Sequence, residues 1–234
     1  RRERSVSEER SGLDNVVIIG PGRMGLALGS ALRQVDAVDH LTFFGRSLEP
    51  PPHPLFDAHA AGDDDASNTG AEYRTLPALP PPHTTIVILA VPDDALNEVV
   101  FDLAMMGAAP PGCVALHLSG ALSTDALEPL HHRGYAVGSM HPLMAVADPW
   151  FSGDRLIGAA FAMTGEPVAN TAARRIVAER LIAGSRLVVR FAGECLIQQQ
   201  GTVRHSVGQR PNLQHVTAFG LHTGTGRSVH RRQV

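Results

Sequence analysis

Three groups of residues in this chain are of types and spacings that could do chemistry. The first is Gly20-Pro21-Gly22-Arg23-Met24-Gly25, a G-x-G-x-x-G directly after a β-branched run and directly before an amphipathic stretch. In that setting the first glycine permits a tight turn, the second lets backbone amides approach a pyrophosphate, and the third lets the helix sit close to the strand. The helix start then offers free N–H groups and a partial positive charge to phosphates. The competing reading is an ordinary strand-to-helix turn. The second group is Arg46-Ser47, some 26 residues after Gly20. A site for a dinucleotide with a free ribose 2′-hydroxyl would place Asp or Glu there. Arg offers a planar fork of donors and Ser a hydroxyl, both suited to a 2′-phosphate, although a solvated surface Arg is the plainer alternative.

The third group lies further along, where Val91-Pro92, Ser119-Gly120 and His141-Pro142 each follow an apolar run. If those runs are parallel strands, all three segments meet at the carboxyl edge of one sheet, where open α/β folds bind ligands. Imidazole titrates near neutral pH, so His141 is the candidate to exchange a proton with a carbonyl, hydroxyl or amine. A structural histidine is the competing reading in a chain with 12 of them. Ser119 has no G-x-S-x-G context and no evident base, which argues against a hydrolytic nucleophile and for a hydroxyl that holds substrate. His141 and Ser119 are the candidate catalytic residues, and Gly120 and Pro142 the candidate substrate contacts. His117 lies inside a strand pattern and is expected to be a satisfied core residue. No H-E-x-x-H or Cys/His spacing predicts a metal.

The elements that must position these groups alternate. Asn15–Gly20 reads as a strand buried on both faces, Met24–Val35 as a helix with Met24, Leu28 and Leu32 in one stripe, and Leu41–Phe44 as a second strand. Residues 49–83 are rich in Pro and Gly and predict irregular connection with one short helix around Leu55–Ala61. Thr85–Val91 is the next strand, followed by a helix over Ala95–Met106 capped by Asp93 or Asp94. Cys113–Leu118 reads as a strand, Ser123–His131 as a short helix, Ala136–Met140 and Ala159–Thr164 as strands, and Glu166–Ala183 as a helix. Such alternation implies an α/β fold, a Rossmann-type parallel sheet flanked by helices.

Composition excludes other classes. The 234 residues carry a formal net charge of −3, with 44% hydrophobic and 18% charged residues, an ordinary globular balance without a basic field to collect nucleic acid or anionic membrane. All 20 basic residues are Arg. The absence of Lys removes Schiff-base chemistry and the P-loop lysine. Cys113 and Cys195 are too few for a disulfide framework. No run suits a membrane span and no signal-peptide core opens the chain, so a cytoplasmic location is expected.

Residues 1–13 are expected to be a disordered lead-in, 14–165 a nucleotide-binding domain, 166–190 the start of a helical domain, and 191–234 a poorly ordered tail. Composition breaks at about residue 184. Residues 1–183 hold 22 acidic residues and 13 Arg, net −9, whereas 184–234 hold one acidic residue and 7 Arg, net +6. Alanine falls from 28 to 2 across the same boundary, and Gln198-Gln199-Gln200 appears. Three readings stand: a slipped reading frame, since GCA repeats read out of register give CAG, a natural poorly ordered tail, or a basic nucleic-acid-binding tail.

Taken together, GPGRMGLALGSAL, AVPDDAL, HLSGALSTDAL and GSMHPLMAVAD resemble the Rossmann-like proteins that carry a DUF2520 region. Those are relatives of the NADP-dependent pyrroline-5-carboxylate reductase and coenzyme-F420-dependent NADP reductase group. The resemblance spans roughly residues 14–183. It implies NADP(H) on Gly20, Pro21, Gly22, Arg23, Met24 and Gly25, its 2′-phosphate on Arg46 and Ser47, and Val91 and Pro92 near the nicotinamide ribose. It further implies Ser119, Gly120, His141 and Pro142 facing a small-molecule substrate. Such families continue into a helical domain that closes the cleft and commonly builds a dimer, and residues 184–234 read as a truncated or misread version of it. Homodimerisation would require that domain intact. The expected function is an NADP(H)-dependent oxidoreductase acting on a small carbonyl, imine or hydroxy substrate, with a non-catalytic NADP(H)-binding or regulatory protein as the alternative. No nucleic-acid or membrane partner is expected.

Overall fold

In the computed structural model the described residues are 14–34, 37–57, 70–146, 148, 156–157 and 159–177, together with the backbone of 187–191 and 194–198. The lead-in 1–13, residues 178–186 and the tail beyond 198 lie outside them. The first strand, β1 (Asp14–Ile19), is the β-branched run, and its side chains are buried on both faces as a central parallel strand requires. It leads through the glycine-rich turn into α1 (Arg23–Gln34), whose Leu26, Ala27, Leu28, Ala31 and Leu32 are buried against the sheet. Then follow β2 (Val38–Gly45), a 3₁₀ turn at Pro54–Phe56, β3 (Glu72–Thr75), β4 (Ile86–Leu89), α2 (Asp93–Met106) and β5 (Val114–His117). A 3₁₀ turn at Thr124–Leu127 continues into α3 (Glu128–His131), and β6 (Ala136–Pro142), β7 (Phe161–Gly165) and α4 (Pro167–Arg174) complete the order before β8 (Leu187–Phe191) and β9 (Glu194–Gln198).

The strands form one sheet in the order β3-β2-β1-β4-β5-β6-β7-β8-β9. From β3 to β6 every neighbouring pair is parallel. The chain winds outward from β1 in both directions, so the carboxyl ends of β1 and β4 flank the point where the connections switch sides. The even and odd positions of each strand feed two cores. Val16, Ile18, Ile86 and Ile88 pack with α1 and with Ala169, Ala172 and Ala173 of α4 on one face. Val17, Ile19, Val87 and Leu89 pack with Leu96, Val100 and Leu103 of α2 and with Leu127 and Leu130 on the other. Helices on both faces make the three-layer sandwich that an α/β pattern predicts.

Several expectations need correction. β7 runs antiparallel to β6, with His141 opposite Ala162. The antiparallel pairing runs from Gly138↔Gly165 to Pro142↔Phe161. β3 was hidden in the Pro- and Gly-rich stretch because it is an edge strand of four residues, none buried. The helix expected around Leu55–Ala61 is only the 3₁₀ turn Pro54–Phe56, capped when His53 Nδ1 accepts from the Leu55 amide at 3.2 Å; residues 58–61 lie outside the described residues. Neither Asp93 nor Asp94 caps α2. Pro92 holds the cap position without a side-chain hydrogen bond, and the two carboxylates sit in the first turn, where they favour the positive end of the helix dipole. The helix expected over Glu166–Ala183 is described as Pro167–Arg174 with a π turn through Val177, and it lies on β5, β6 and β7. Arg175 in that turn fastens it to the start of β1, its Nε donating to Asp14 Oδ2 at 2.8 Å. α4 is therefore part of the sheet body.

Candidate functional site

The glycine-rich turn is built as its spacing predicts. Gly20 has φ +105°, a conformation side chains disfavour, and a Cβ there would meet the Ala90 carbonyl oxygen at 2.6 Å. Its amide donates to Phe44 O at 2.9 Å, which ties the turn to the end of β2. Gly25 lies directly against Gly20, and a Cβ on it would collide with the Gly20 carbonyl oxygen. Gly22 is different. Nothing stands within 4 Å of where its Cβ would be. The first turn of α1 carries no acidic residue, and its leading amides have no intrahelical acceptor. Open space beside a glycine, at an uncompensated helix N-terminus, fits a pyrophosphate.

That turn opens into a cavity of about 740 Å³ at the carboxyl edge of the sheet. Gly20, Pro21, Gly22, Arg46, Ser47, Val91 and Pro92 all line it. Seven residues chosen from three distant stretches of sequence are thus brought together. Arg46 and Ser47 are exposed, and among the described residues Arg46 has no hydrogen bond or ion pair. Its guanidinium stands available to an anion. Arg23 and Met24 occupy the first turn of α1 without lining the cavity, and Gly25 is buried behind Gly20.

Sequence reasoning missed the far wall. Leu76 and Pro77 after β3, with Ala95, Val99 and Leu103 of α2, give it apolar surface suited to a planar base, and Glu98 and Asp102 stand on the same wall. The α2 signal was present as positions 95, 99 and 102, an i, i+4, i+7 face that adjoins the core face at Leu96, Val100 and Leu103, with Leu103 shared between them. The Leu76–Pro77 contribution had no signal, because it depends on the pairing of β3 with β2.

Ser119, Gly120, His141 and Pro142 gather at the neighbouring strand ends and do not line this cavity. His141 Nδ1 is 2.9 Å from the Leu118 carbonyl oxygen. A carbonyl only accepts, so Nδ1 carries the proton and Nε2 is the free nitrogen. The ring lies over Gly120, where a Cβ would stand 2.6 Å from Nε2. Gly120 is therefore the floor for the imidazole. Ser119 Oγ accepts from the Ala121 and Leu122 amides, each at 3.1 Å. It organises the turn after β5 and keeps one hydroxyl proton to donate. Pro142 is buried at the end of β6.

His117 is fully buried, as a core residue should be, but it is not satisfied. Neither ring nitrogen has a hydrogen-bond partner of ordinary geometry. The ring sits in β5 near the Ser123 backbone, Asp93 and His141. Burial pushes its pKa down, the nearby Ser123 backbone and the Asp93 charge oppose that, and His141 adds to it. Cys113 is buried and its thiol is pushed up to about 12 by desolvation, so it is chemically inert. Among the described residues no group of three or more His, Cys, Asp or Glu could hold a metal, and no helix is long and apolar enough to cross a membrane.

A family model described as a Rossmann-like domain matches residues 43–142, the stretch from the end of β2 to the end of β6. The fold of this chain is Rossmann-like. The same Rossmann-like sheet recurs in solved structures. Prephenate dehydrogenase from Aquifex aeolicus is similar with a TM-score of 0.54 at 15% identity, over 76% of this chain and 61% of that one. Pyrroline carboxylate reductase from Plasmodium falciparum, solved with NADP bound, is similar with a TM-score of 0.50 at 14% identity, over 77% and 58%. A reductive aminase from Aspergillus terreus, in complex with NADPH and ethyl levulinate, gives 0.50 at 16% identity, over 78% and 55%. The chain spans less than two thirds of the length of each, and at these identities the likeness is one of fold. No curated protein matches the sequence.

Proposed function

We propose that the Rossmann-like domain binds NADP(H) and serves an oxidoreductase of the DUF2520-related type, acting on a small carbonyl, imine or hydroxy compound. The observation that carries this reading is the continuous cavity from Gly20–Gly22 at the start of α1 to Arg46–Ser47 at the end of β2, with open space at the Gly22 Cβ position. The α1 amides would hold the pyrophosphate, Arg46 and Ser47 a ribose 2′-phosphate, and Val91 and Pro92 the nicotinamide ribose. When bound, the nicotinamide supplies or takes a hydride. That NADP or NADPH is bound in two of the similar structures supports the choice of cofactor.

The chain's own residues then handle the proton. His141 is held by Leu118 so that Nε2 is the exchangeable nitrogen. In reduction, Nε2–H donates to the substrate oxygen or nitrogen as the hydride reaches carbon; in oxidation, neutral Nε2 accepts the hydroxyl or amine proton. Ser119 would orient the substrate through its remaining hydroxyl proton. The test is NADPH oxidation by the full chain against a panel of small ketoacids and imines, with His141→Ala alongside. Turnover that falls roughly 10²-fold in the variant, at unchanged NADPH affinity, is the expected result. Tight NADPH binding with no turnover on any substrate would leave a cofactor-binding protein and remove the enzyme.

A further inference from the structure

The edge strand β3 does more than close the sheet. Its side chains hold the loop that carries Arg46 and Ser47. Tyr73 Oη donates to the Ser47 carbonyl oxygen at 2.8 Å. Thr75 Oγ1 can donate to the carbonyl oxygens of Ser47 at 3.1 Å and Leu48 at 3.4 Å. The Leu76 amide donates to Gly45 O at 2.8 Å. Donors from residues 73–76 thus fasten the carbonyls of residues 45–48, and the two lone pairs of the Ser47 oxygen are both taken by hydroxyls.

This arrangement is built in. A Cβ at Gly45 would collide with the Tyr73 hydroxyl and would stand 3.0 Å from Pro21 Cγ, so the glycine opens the path by which the hydroxyl reaches the loop beside the glycine-rich turn. The Tyr73 ring is set edge-on to Phe56, with centroids 5.8 Å apart. Burial raises the pKa of the phenol, which keeps it a donor. Among the described residues the loop has no other regular support: residues 46–50 are all exposed, and 46–49 form bends.

We propose that Tyr73 and Thr75 are positioning residues for cofactor choice, holding the Ser47 carbonyl so that Arg46 and Ser47 are preorganised for a ribose 2′-phosphate. The proposal rests on the 2′-phosphate reading of the Arg46–Ser47 end of the cavity. Neither hydroxyl is asked to touch the cofactor. An unfastened loop would have to be ordered when the phosphate binds, and that cost falls on NADPH alone, because NADH makes no demand on Arg46.

The experiment is a fluorescence titration of the full chain with NADPH and with NADH, for the unmutated protein, Tyr73→Phe, Thr75→Val and the double variant. Phenylalanine keeps the ring against Phe56 and valine keeps the shape, so only the hydroxyls are lost. Each single variant is expected to weaken NADPH about fivefold while NADH binding stays constant, which narrows the preference by the same factor. Variants that weaken both cofactors equally, or neither, would overturn the proposal while leaving the 2′-phosphate reading intact. An unmutated protein with no preference for NADPH would overturn both. If Tyr73→Phe does not fold, Thr75→Val alone carries the test.

Discussion

Gly22 and Gly25 sit three residues apart in the same turn, yet the structure predicts that the same substitution will do opposite things to them. At Gly25 an added Cβ collides with the Gly20 carbonyl oxygen and stands 3.3 Å from Ala90 Cβ. Relief by backbone movement is blocked, because Gly20 is fixed by its amide bond to Phe44 O and by its positive φ. Overpacking of this kind costs about 1–3 kcal/mol, and the opponent here is immobile main chain, which places Gly25→Ala at the upper end. The better helix propensity of alanine returns up to about 1 kcal/mol. The net loss of about 2 kcal/mol corresponds to a melting temperature lowered by about 4–8 °C for a domain of this size. At Gly22 the Cβ meets nothing within 4 Å and φ lies outside the left-handed region. Gly22→Ala should therefore leave stability unchanged or raise it by up to about 1 kcal/mol through the unfolded state. Its methyl group instead occupies the room assigned to the pyrophosphate, and NADPH affinity should fall at least about tenfold, or 1.4 kcal/mol. Thermal denaturation and fluorescence titration read the two effects separately. A Gly22→Ala protein that binds NADPH as tightly as the unmutated chain would refute the placement of the phosphates, and a fully stable Gly25→Ala protein would refute the packing argument.

Gly120→Ala should mimic loss of His141, because its Cβ would stand 2.6 Å from Nε2 and displace the ring from the Leu118 carbonyl; turnover should fall roughly 10²-fold with NADPH affinity retained, and normal steady-state kinetics would show that the imidazole plays no part. His117 should make folding pH-sensitive. Its pKa is lowered by burial in the folded state, so the unfolded chain takes up the proton first, and stability is lost as pH falls from about 6.5 toward the lower folded value. Urea unfolding at pH 7.5 and at pH 5.5 should show a smaller loss for His117→Leu than for the unmutated protein, with Asp93, His141 and the Ser123 backbone as the groups facing the ring; equal losses would sink the assignment.

Much of the fold was legible because its decisive elements are local. A β-branched run, three glycines at fixed spacing and a Leu-rich stripe define β1, the turn and α1 without reference to anything distant. The cavity lined by Gly20–Gly22, Arg46–Ser47 and Val91–Pro92 was legible for the same reason, since each group sits at the end of a strand that announces itself. What stayed hidden depends on partners far away in sequence. β3 exists because Thr42–Gly45 offers it a parallel edge, and its four residues read as loop without that partner. The direction of β7 appears only in its antiparallel pairing with Gly138–Pro142, because an antiparallel strand need not alternate hydrophobicity differently from a parallel one. The orphaned nitrogens of His117 and the support of His141 by Gly120 are matters of side-chain neighbours across strands, and no spacing rule reveals them.

The anion end of the cavity decides the cofactor assignment, and paired titration of the full chain with NADPH and NADH at one stated ionic strength tests it directly. A charge-assisted contact from Arg46 to the 2′-phosphate contributes about 1.5–3 kcal/mol, so NADPH should bind about 10- to 150-fold more tightly than NADH. Added salt should shrink that ratio, because Arg46 is exposed and the contact is screened. Arg46→Asp should abolish or reverse it, since a carboxylate repels the phosphate and accepts from a free 2′-hydroxyl. Equal affinities for the two cofactors in the unmutated protein, or a preference that survives Arg46→Asp, would contradict the account.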